Sequence, residues 1–354
     1  MLRFIISKLT RACALALLIS VLSFVLFSPR AHAQGVAPSD TTGASPSFKD
    51  PSFGTRSRGN SFNPDIGVNA LFLYENSNRG RDSGTAERNG LSFQEAELQF
   101  TSDVDPYWRF VSTFSLHQEV DDATTPAERE YVFEAEEAFA ETIALPRFIF
   151  RIGKFKTAMG KQNQIHTHAL AFIDNPLQNT VLLGDEGLND LGVSLSGLLP
   201  TPWFSELTLQ GISGQGEGLE YFQPTTSNSY VGLFHWKNLI DLTEDLTSEL
   251  GLSAASGKNQ SANSTQLYGA DLTFKWRATA EQAVIWSTEL LRRDYNQETS
   301  EVGQGVSSWV QLQFSRRWWA QARAEYLEVK DPASTTTVAP YQRKQSALVA
   351  YVPS

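Results

Sequence analysis

A two-residue alternation of apolar and polar side chains is the feature that most restricts how this chain can fold. It is clearest over residues 268–277, where Tyr, Ala, Leu, Phe and Trp occupy the even positions and the odd positions from Asp271 to Arg277 are polar. Because successive side chains of a β-strand point to opposite faces, one face of this strand is apolar and the other is charged. A water-soluble barrel turns the apolar face inward, whereas a membrane barrel turns it toward lipid.

The first 33 residues have the three parts of a secretory signal peptide. Basic residues precede an apolar run over 12–27, and Ala31 to Ala33 form a small-x-small cleavage site. The run is short for a spanning helix, so we expect cleavage before Gln34. The single cysteine, Cys13, lies in this signal, so the mature chain is expected to form no disulfide and no thiolate metal site. Residues 34–62 are rich in Ser, Pro, Gly and Thr and are predicted to form a flexible linker.

The rest of the sequence restricts how an exported chain could span a membrane. No other segment approaches about twenty consecutive apolar residues, so spanning would require a closed β-barrel. The whole sequence has 29 basic and 39 acidic residues, and removal of the four basic residues of the signal leaves 25 against 39. This acidic excess argues against nucleic acid as a partner.

Fourteen strands are predicted, joined alternately by tight turns and long polar loops. The turns, such as 103–106 and 315–317, carry turn-forming residues or are very short. This alternation is typical of outer-membrane barrels, which have tight periplasmic turns and long external loops. The predicted strands lie near 65–75, 91–102, 107–118, 131–143, 147–156, 191–198, 204–212, 230–239, 246–255, 266–277, 282–294, 305–315, 318–328 and 343–352. The predicted long loops are 76–90, 119–130, 157–190, 213–229, 256–265, 295–304 and 329–342.

Aromatic residues are predicted to form two belts. Tryptophans such as Trp203 and Trp276 lie beside the tight turns, and tyrosines such as Tyr74 and Tyr230 lie beside the long loops. Amphipathic rings favour membrane interfaces, which explains this distribution better than a general preference of aromatics for strands. Trp286 and Trp309 interrupt the pattern. We therefore predict an all-β, antiparallel, up-and-down transmembrane β-barrel over residues 63–354, in the outer membrane of a Gram-negative bacterium.

The C-terminal sequence predicts that further strands would follow. The chain ends with Pro353 and Ser354 rather than on an aromatic residue that completes a strand, and the proline cannot donate to a ladder. We therefore expect C-terminal truncation. In that case the first and last strands should not form a full hydrogen-bonded seam, although an even number of strands could close.

Charges of both signs are predicted on the inward face of neighbouring strands. They could pair into a salt-bridge lattice that holds the wall, or create a transverse field that orients polar solutes. The loop 157–190 is long and unusually apolar, so we expect it to fold inward as a constriction. The residues expected to line this constriction are Arg109, Glu134, Glu136, Arg151, Lys154, Lys156 and Lys161.

Several segments between residues 90 and 200 carry a family resemblance. The strand 91–97 and the turn 104–107 are followed by the segments 136–139, 153–155, 166–168 and 183–192. In these segments the chain resembles the outer-membrane porins grouped with the phosphate-selective porins, the porin O/P-like group. The resemblance implies a trimeric or monomeric diffusion channel with about sixteen or more strands when intact. The mixed, net acidic lumen lacks the ladder of Arg and Lys that phosphate selectivity needs, so that specificity is not carried over.

Sequence motifs for catalysis and metal binding are weak. His166 and His168, with Asp174 nearby, have the ligand types for zinc, but two histidines in a loop more often bond to backbone carbonyls. We expect no metal site, and these three residues are the candidate ligands if one exists. No nucleophile elbow occurs, so we predict no enzymatic activity and no cofactor.

The sequence therefore predicts a channel for passive diffusion of small polar or ionic solutes, surrounded by outer-membrane lipid. The loop 157–190 would narrow this channel. A homotrimer is one assembly that the resemblance implies. The alternative is a non-conducting structural or adhesive barrel, which would need the loops to plug the lumen completely.

Overall fold

The computed structural model describes most of the chain after the predicted signal and linker, both of which lie outside the described residues. The described ranges are 64–75, 90–121, 128–184, 186–216, 221–223, 230–296, 300–330 and 341–352. Within these ranges, none of the helices is both long enough and apolar enough to cross a membrane.

The described chain forms one antiparallel sheet of fourteen strands, in which each strand pairs with the next one in the sequence. This confirms the predicted all-β, up-and-down topology. The strands are β1 (Asp65–Glu75), β2 (Gly90–Asp103), β3 (Trp108–Asp121), β4 (Glu128–Thr142), β5 (Phe148–Lys156), β6 (Asn189–Leu198), β7 (Phe204–Ile212), β8 (Val231–Asp241), β9 (Leu246–Lys258), β10 (Ser264–Thr279), β11 (Gln282–Asn296), β12 (Ser300–Ser315), β13 (Trp318–Lys330) and β14 (Tyr341–Tyr351).

The alternation of side chains in the sequence corresponds to two different faces of the sheet. On β10, Asp271 is 3% exposed, whereas Trp276 on the opposite face is 36% exposed. Phe274 also lies on the outward face, where its ring stacks on that of Trp286 in β11 at 5.7 Å between centroids. Large apolar side chains such as Leu290 remain exposed on this outward face. The polar faces of the strands therefore point inward.

Two of the predicted long loops are much shorter than expected. The pairing of β9 with β10 continues to Lys258 and Ser264, and that of β11 with β12 continues to Asn296 and Ser300. The predicted loops 256–265 and 295–304 are therefore wrong in extent. Their residues are polar on both faces, so the local sequence resembles a loop although the backbone continues the ladder.

The sheet has two edges among the described strands. β1 pairs with β2 and β14 pairs with β13, and no ladder joins β1 to β14 within the described residues. This agrees with the expectation that these two strands form no full seam. The expectation that further strands follow in an intact chain stays a prediction.

The long connection between β5 and β6 contains the helical part of the described chain. Two 3-10 helices, Gln162–Gln164 and Thr167–Ala169, precede α1 (Leu177–Leu183). β5 itself approaches β4 closely at Gly153, where a Cβ would lie 2.2 Å from the carbonyl oxygen of Ala138. The positive φ of 137° at this glycine disfavours other residues as well.

Candidate functional site

The loop 157–190 crosses the inward side of the curved sheet. Its two consecutive residues Ile173 and Asp174 touch strands near both edges. The carbonyl oxygen of Ile173 accepts a hydrogen bond from Gln94 of β2 at 3.1 Å. Asp174 forms ion pairs with Arg323 of β13 and Lys344 of β14. Strands close to the two edges are therefore brought within reach of one short stretch of the loop.

The first group of contacts joins the loop to β2 and β4 through two histidines. Nδ1 of His166 lies 2.9 Å from Oε2 of Glu136, and Nε2 lies 2.9 Å from Oε2 of Glu137. Nδ1 of His168 lies 2.8 Å from Oε2 of Glu97. All three carboxylates are buried. The pair of histidines that the sequence singled out therefore lies against the wall and not in external solvent.

A β-bulge explains why two consecutive glutamates reach the same histidine. In the pairing of β3 with β4, Thr113 lies opposite Glu137 and Phe114 lies opposite Ala135, which leaves Glu136 as the extra residue. A bulge turns a side chain that regular alternation would send to the other face. Glu136 and Glu137 are consequently both buried. The consecutive glutamates interrupt the two-residue alternation of this strand in the sequence, and the bulge is the reason.

The protonation of His166 follows from these contacts. Burial alone lowers the pKa of His166, but the hydrogen bonds to Glu136 and Glu137 outweigh it and raise the pKa to about 10. A carboxylate on each ring nitrogen favours the imidazolium form, in which both nitrogens donate. The resulting charged hydrogen bonds fasten the loop to β4.

The second group of contacts joins the start of the loop to β9, β10 and β11. The ammonium group of Lys161 lies 2.9 Å from Oε1 of Glu249 and donates to the hydroxyl oxygen of Thr273 at 2.9 Å. The backbone N–H of Lys161 donates to Oε1 of Glu289 at 3.0 Å. Gly160 makes this approach feasible, because a Cβ at that position would lie 2.0 Å from the same carboxylate oxygen.

The third group of contacts holds α1 and the residues before it against β11, β12 and β13. The guanidinium of Arg323 donates to the carbonyl oxygen and the carboxylate of Asp174, and the backbone N–H of Leu177 donates to Glu325. Arg293 donates to the carbonyl oxygens of Val181 and Leu182. Both arginines are almost fully buried and paired with carboxylates.

Part of the inward face is apolar, which the sequence analysis did not predict. Side chains of the loop, such as Met159 and Leu182, are buried together with Leu267, Leu291 and Leu327 of the wall. Each of these three wall leucines is two or four residues along its strand from a buried carboxylate on the same inward face. The inward face is therefore polar over one stretch and apolar where it packs against the loop.

The predicted constriction residues do not form a single ring. Lys156 and Glu136 lie 3.6 Å apart and belong to the first group of contacts, and Glu134 lies beside His117. Lys161 belongs to the second group. The remaining three of the seven residues lie elsewhere, and the role of all seven in a constriction stays a prediction.

Those three residues are Arg109, Arg151 and Lys154. Arg109 pairs with Asp103 across the tight turn between β2 and β3, at the opposite end of the sheet from the loop. Arg151 pairs with Glu141 at 3.0 Å and lies over the ring of Phe139. Lys154 is paired in register with Leu191, which is exposed on the outward face.

Several contact residues were missed because their partners are distant in the sequence. The hydrogen bond from Leu177 to Glu325 joins residues 148 positions apart, and no local pattern reports such a contact. The sequence indicates Asp174 only as a candidate metal ligand beside the histidines. It pairs instead with Arg323 and Lys344. Its contribution is to hold the loop.

The chain has a relative among the curated proteins. No family model matches the chain. The chain is 30% identical over 267 residues to an uncharacterized protein of Aquifex aeolicus (strain VF5), an alignment that covers 66% of this chain and 53% of that protein. The chain thus spans about half the length of the curated relative that it matches.

Two solved structures match the chain at different levels of similarity. The outer membrane channel DcaP of Acinetobacter baumannii superposes with a TM-score of 0.50 at 9% identity, over 82% of this chain and 87% of that one. An anion-selective porin from Comamonas acidovorans gives a TM-score of 0.37 at 10% identity, over 81% of this chain and 93% of that one. The likeness to the outer membrane channel DcaP, together with the strand order, shows that the fold is porin-like.

Proposed function

We propose that this protein is an outer-membrane channel for passive diffusion of small polar or ionic solutes, narrowed by the loop 157–190. One observation carries the proposal. The loop is bonded on the inward side of the sheet to strands from β2 to β14, so it would lie across the path of a solute. We propose that the chain is related to the porin O/P-like group, as its sequence resemblance implies. We propose no enzymatic activity for it.

The two faces of the sheet support a membrane location. The outward face presents large apolar side chains, among them Leu290 at 51% and Phe314 at 50% exposed, to the surroundings. A soluble protein rarely exposes so extended an apolar surface, whereas an outer-membrane barrel requires one facing lipid. Outer-membrane lipid is therefore the proposed partner of this face, after export by the predicted signal. A homotrimer is the assembly proposed from the resemblance.

The charges inside the sheet support weak selectivity. Side chains of both charges lie on the inward side and form ion pairs, such as that of Lys161 with Glu249 and that of Arg293 with Glu301. A mixed lining produces a local transverse field but no uniform attraction for one sign of ion. Passage of small solutes of both signs follows from this arrangement.

A non-conducting barrel is the second candidate, and the apolar packing inside the sheet favours it. Met159, Leu182 and Leu183 of the loop are buried against wall leucines. A well-packed apolar interface of this kind excludes water. If it extends across the whole lumen, the barrel would be structural or adhesive.

Single-channel recording in planar bilayers distinguishes the two candidates. The proposal expects stepwise currents from the full chain refolded in detergent. Replacing residues 165–183 by a Gly-Ser linker of equal length should raise the conductance, because the anchors that hold the loop inside are lost. Absence of steps from the wild type, with steps from the linker variant, would favour the plugged barrel. Absence of steps from both would contradict a channel.

A further inference from the structure

Three elements meet at one point on the inward side of the sheet, and each brings a side chain that can ligate a metal. β2 supplies Glu97, β4 supplies Glu136 and the loop supplies His166. One ligand atom from each lies within 4.8 Å of the other two. Nδ1 of His166 is 2.9 Å from Oε2 of Glu136 and 3.6 Å from Oε2 of Glu97. Ligands of a tetrahedral zinc ion, each about 2.1 Å from the metal, are about 3.4 Å apart.

The second ring nitrogen of His166 already has a carboxylate partner that fixes the orientation of the ring. Nε2 lies 2.9 Å from Oε2 of Glu137, which follows the bulged residue Glu136 directly on β4. A ligating histidine usually donates its second N–H to a carboxylate, which fixes the ring and its tautomer. His168 orients Glu97 in a similar way, since its Nδ1 lies 2.8 Å from Oε2 of that carboxylate. Both flanking contacts that a metal site needs are therefore present.

The charge of this region favours a cation. Glu95 is on the same face of β2 as Glu97, is 7% exposed, and its Oε1 has no hydrogen-bond partner among the described residues. It interacts electrostatically with Glu97 and Glu136. Lys156 lies 3.6 Å from Oε2 of Glu136, and Arg151 interacts with Glu137 but is already paired with Glu141. Buried carboxylates left without full compensation are costly, and a divalent cation would compensate them.

We propose that Glu97, Glu136 and His166 form a binding site for a divalent transition-metal ion that fastens the loop 157–190 to β2 and β4. The ion accepts lone pairs from the two carboxylates and from Nδ1. The proton that Nδ1 shares with Glu136 passes to solvent, and no group is oxidised or reduced. An imidazole with two carboxylates suits zinc better than calcium or magnesium, which prefer oxygen ligands alone. The site goes beyond the proposed channel, because a non-conducting barrel would bind the ion equally well.

Titration calorimetry with ZnCl₂ tests the site. The full chain, refolded in detergent micelles and freed of metal with EDTA, should bind one zinc ion. Glu97→Gln, Glu136→Gln and His166→Gln should each weaken binding by more than about tenfold. Glu137→Gln should weaken it by roughly 10- to 100-fold, as expected for a residue that orients a ligand. His235→Gln is the matched control, since this buried histidine contacts Ser253 outside the group, and it should leave the affinity unchanged.

Two outcomes would overturn the proposal. One is wild-type binding no tighter than that of His166→Gln, with folding of both checked by circular dichroism. The other is read on the wild type alone, so that it does not depend on folding of any variant. Copper(II) bound in place of zinc should show coupling to imidazole nitrogen in electron paramagnetic resonance. A bound copper spectrum with oxygen ligands only would contradict a site that contains His166.

Discussion

At the scale of the residue, Arg151 can stabilise the sheet or attract and repel permeating ions by its charge. It pairs with Glu141 at 3.0 Å and lies 4.0 Å from the ring centroid of Phe139, yet its side chain remains 31% exposed. The ion pair alone suits a structural role. Its remaining exposure to the interior lets its charge act on a passing ion as well.

Charge reversal at Arg151 separates these roles. Arg151→Glu should shift the reversal potential under a salt gradient toward cation preference, and Arg151→Gln should shift it about half as far, because one unit of charge is removed instead of two. Arg316→Glu in the exposed turn between β12 and β13 makes the same charge change away from the interior. Equal reversal potentials in all variants would mean that Arg151 only stabilises the wall.

At the scale of the element, the loop 157–190 is held by contacts with strands distributed around the sheet. Substitution of Asp174 removes one of these contacts and leaves the others in place. Asp174→Asn weakens the pairing with Arg323 and Lys344. Charged hydrogen bonds contribute about 1.5–3 kcal/mol. Because Asp174 is 36% exposed, we expect the substitution to reduce the free energy that holds the loop against the sheet by about 1.5 kcal/mol, the lower end of this range.

Limited proteolysis measures how readily the loop 157–190 detaches from the sheet. Lys161 is the single tryptic site within residues 157–190, and in the folded protein it is bound to Glu249 and Thr273. Asp174→Asn should raise the rate of cleavage at Lys161 roughly tenfold if the loop opens as a unit. Asp241→Asn, at the exposed end of β8 and outside the contacts of the loop, should leave this rate unchanged. Equal cleavage rates in the wild type and Asp174→Asn would show that the loop is held without this contact.

The strands could be predicted from the sequence, whereas the placement of the loop could not. A two-residue period is local, so all fourteen strands follow from patterns such as that of 268–277. The inward course of the loop was expected from its length and apolar content, but its partners were not. Glu289 and Arg323 are more than 100 residues from the loop residues that they bind. The β-bulge at Glu136 likewise depends on register with β3.

At the scale of the whole molecule, the central feature is a curved sheet with an apolar outward face and charged side chains inside. β12 shows it over consecutive positions. Val310 is 40% and Leu312 46% exposed on the outward face, whereas Gln311 is bonded on the inward face to Gln321. This arrangement is the inverse of a soluble barrel, and every proposed property of the protein depends on it.

Spin labels at neighbouring positions of β12 test this arrangement most directly. In a Cys13→Ser background, single cysteines at Val310 and Gln311 would be labelled and the protein reconstituted in lipid vesicles. The label at Val310 should collide with oxygen dissolved in the bilayer and be shielded from a water-soluble nickel chelate. The label at Gln311 should be shielded from the bilayer and reached by the nickel reagent. The reverse pattern, or water accessibility at both positions, would contradict a membrane barrel with its polar face inside.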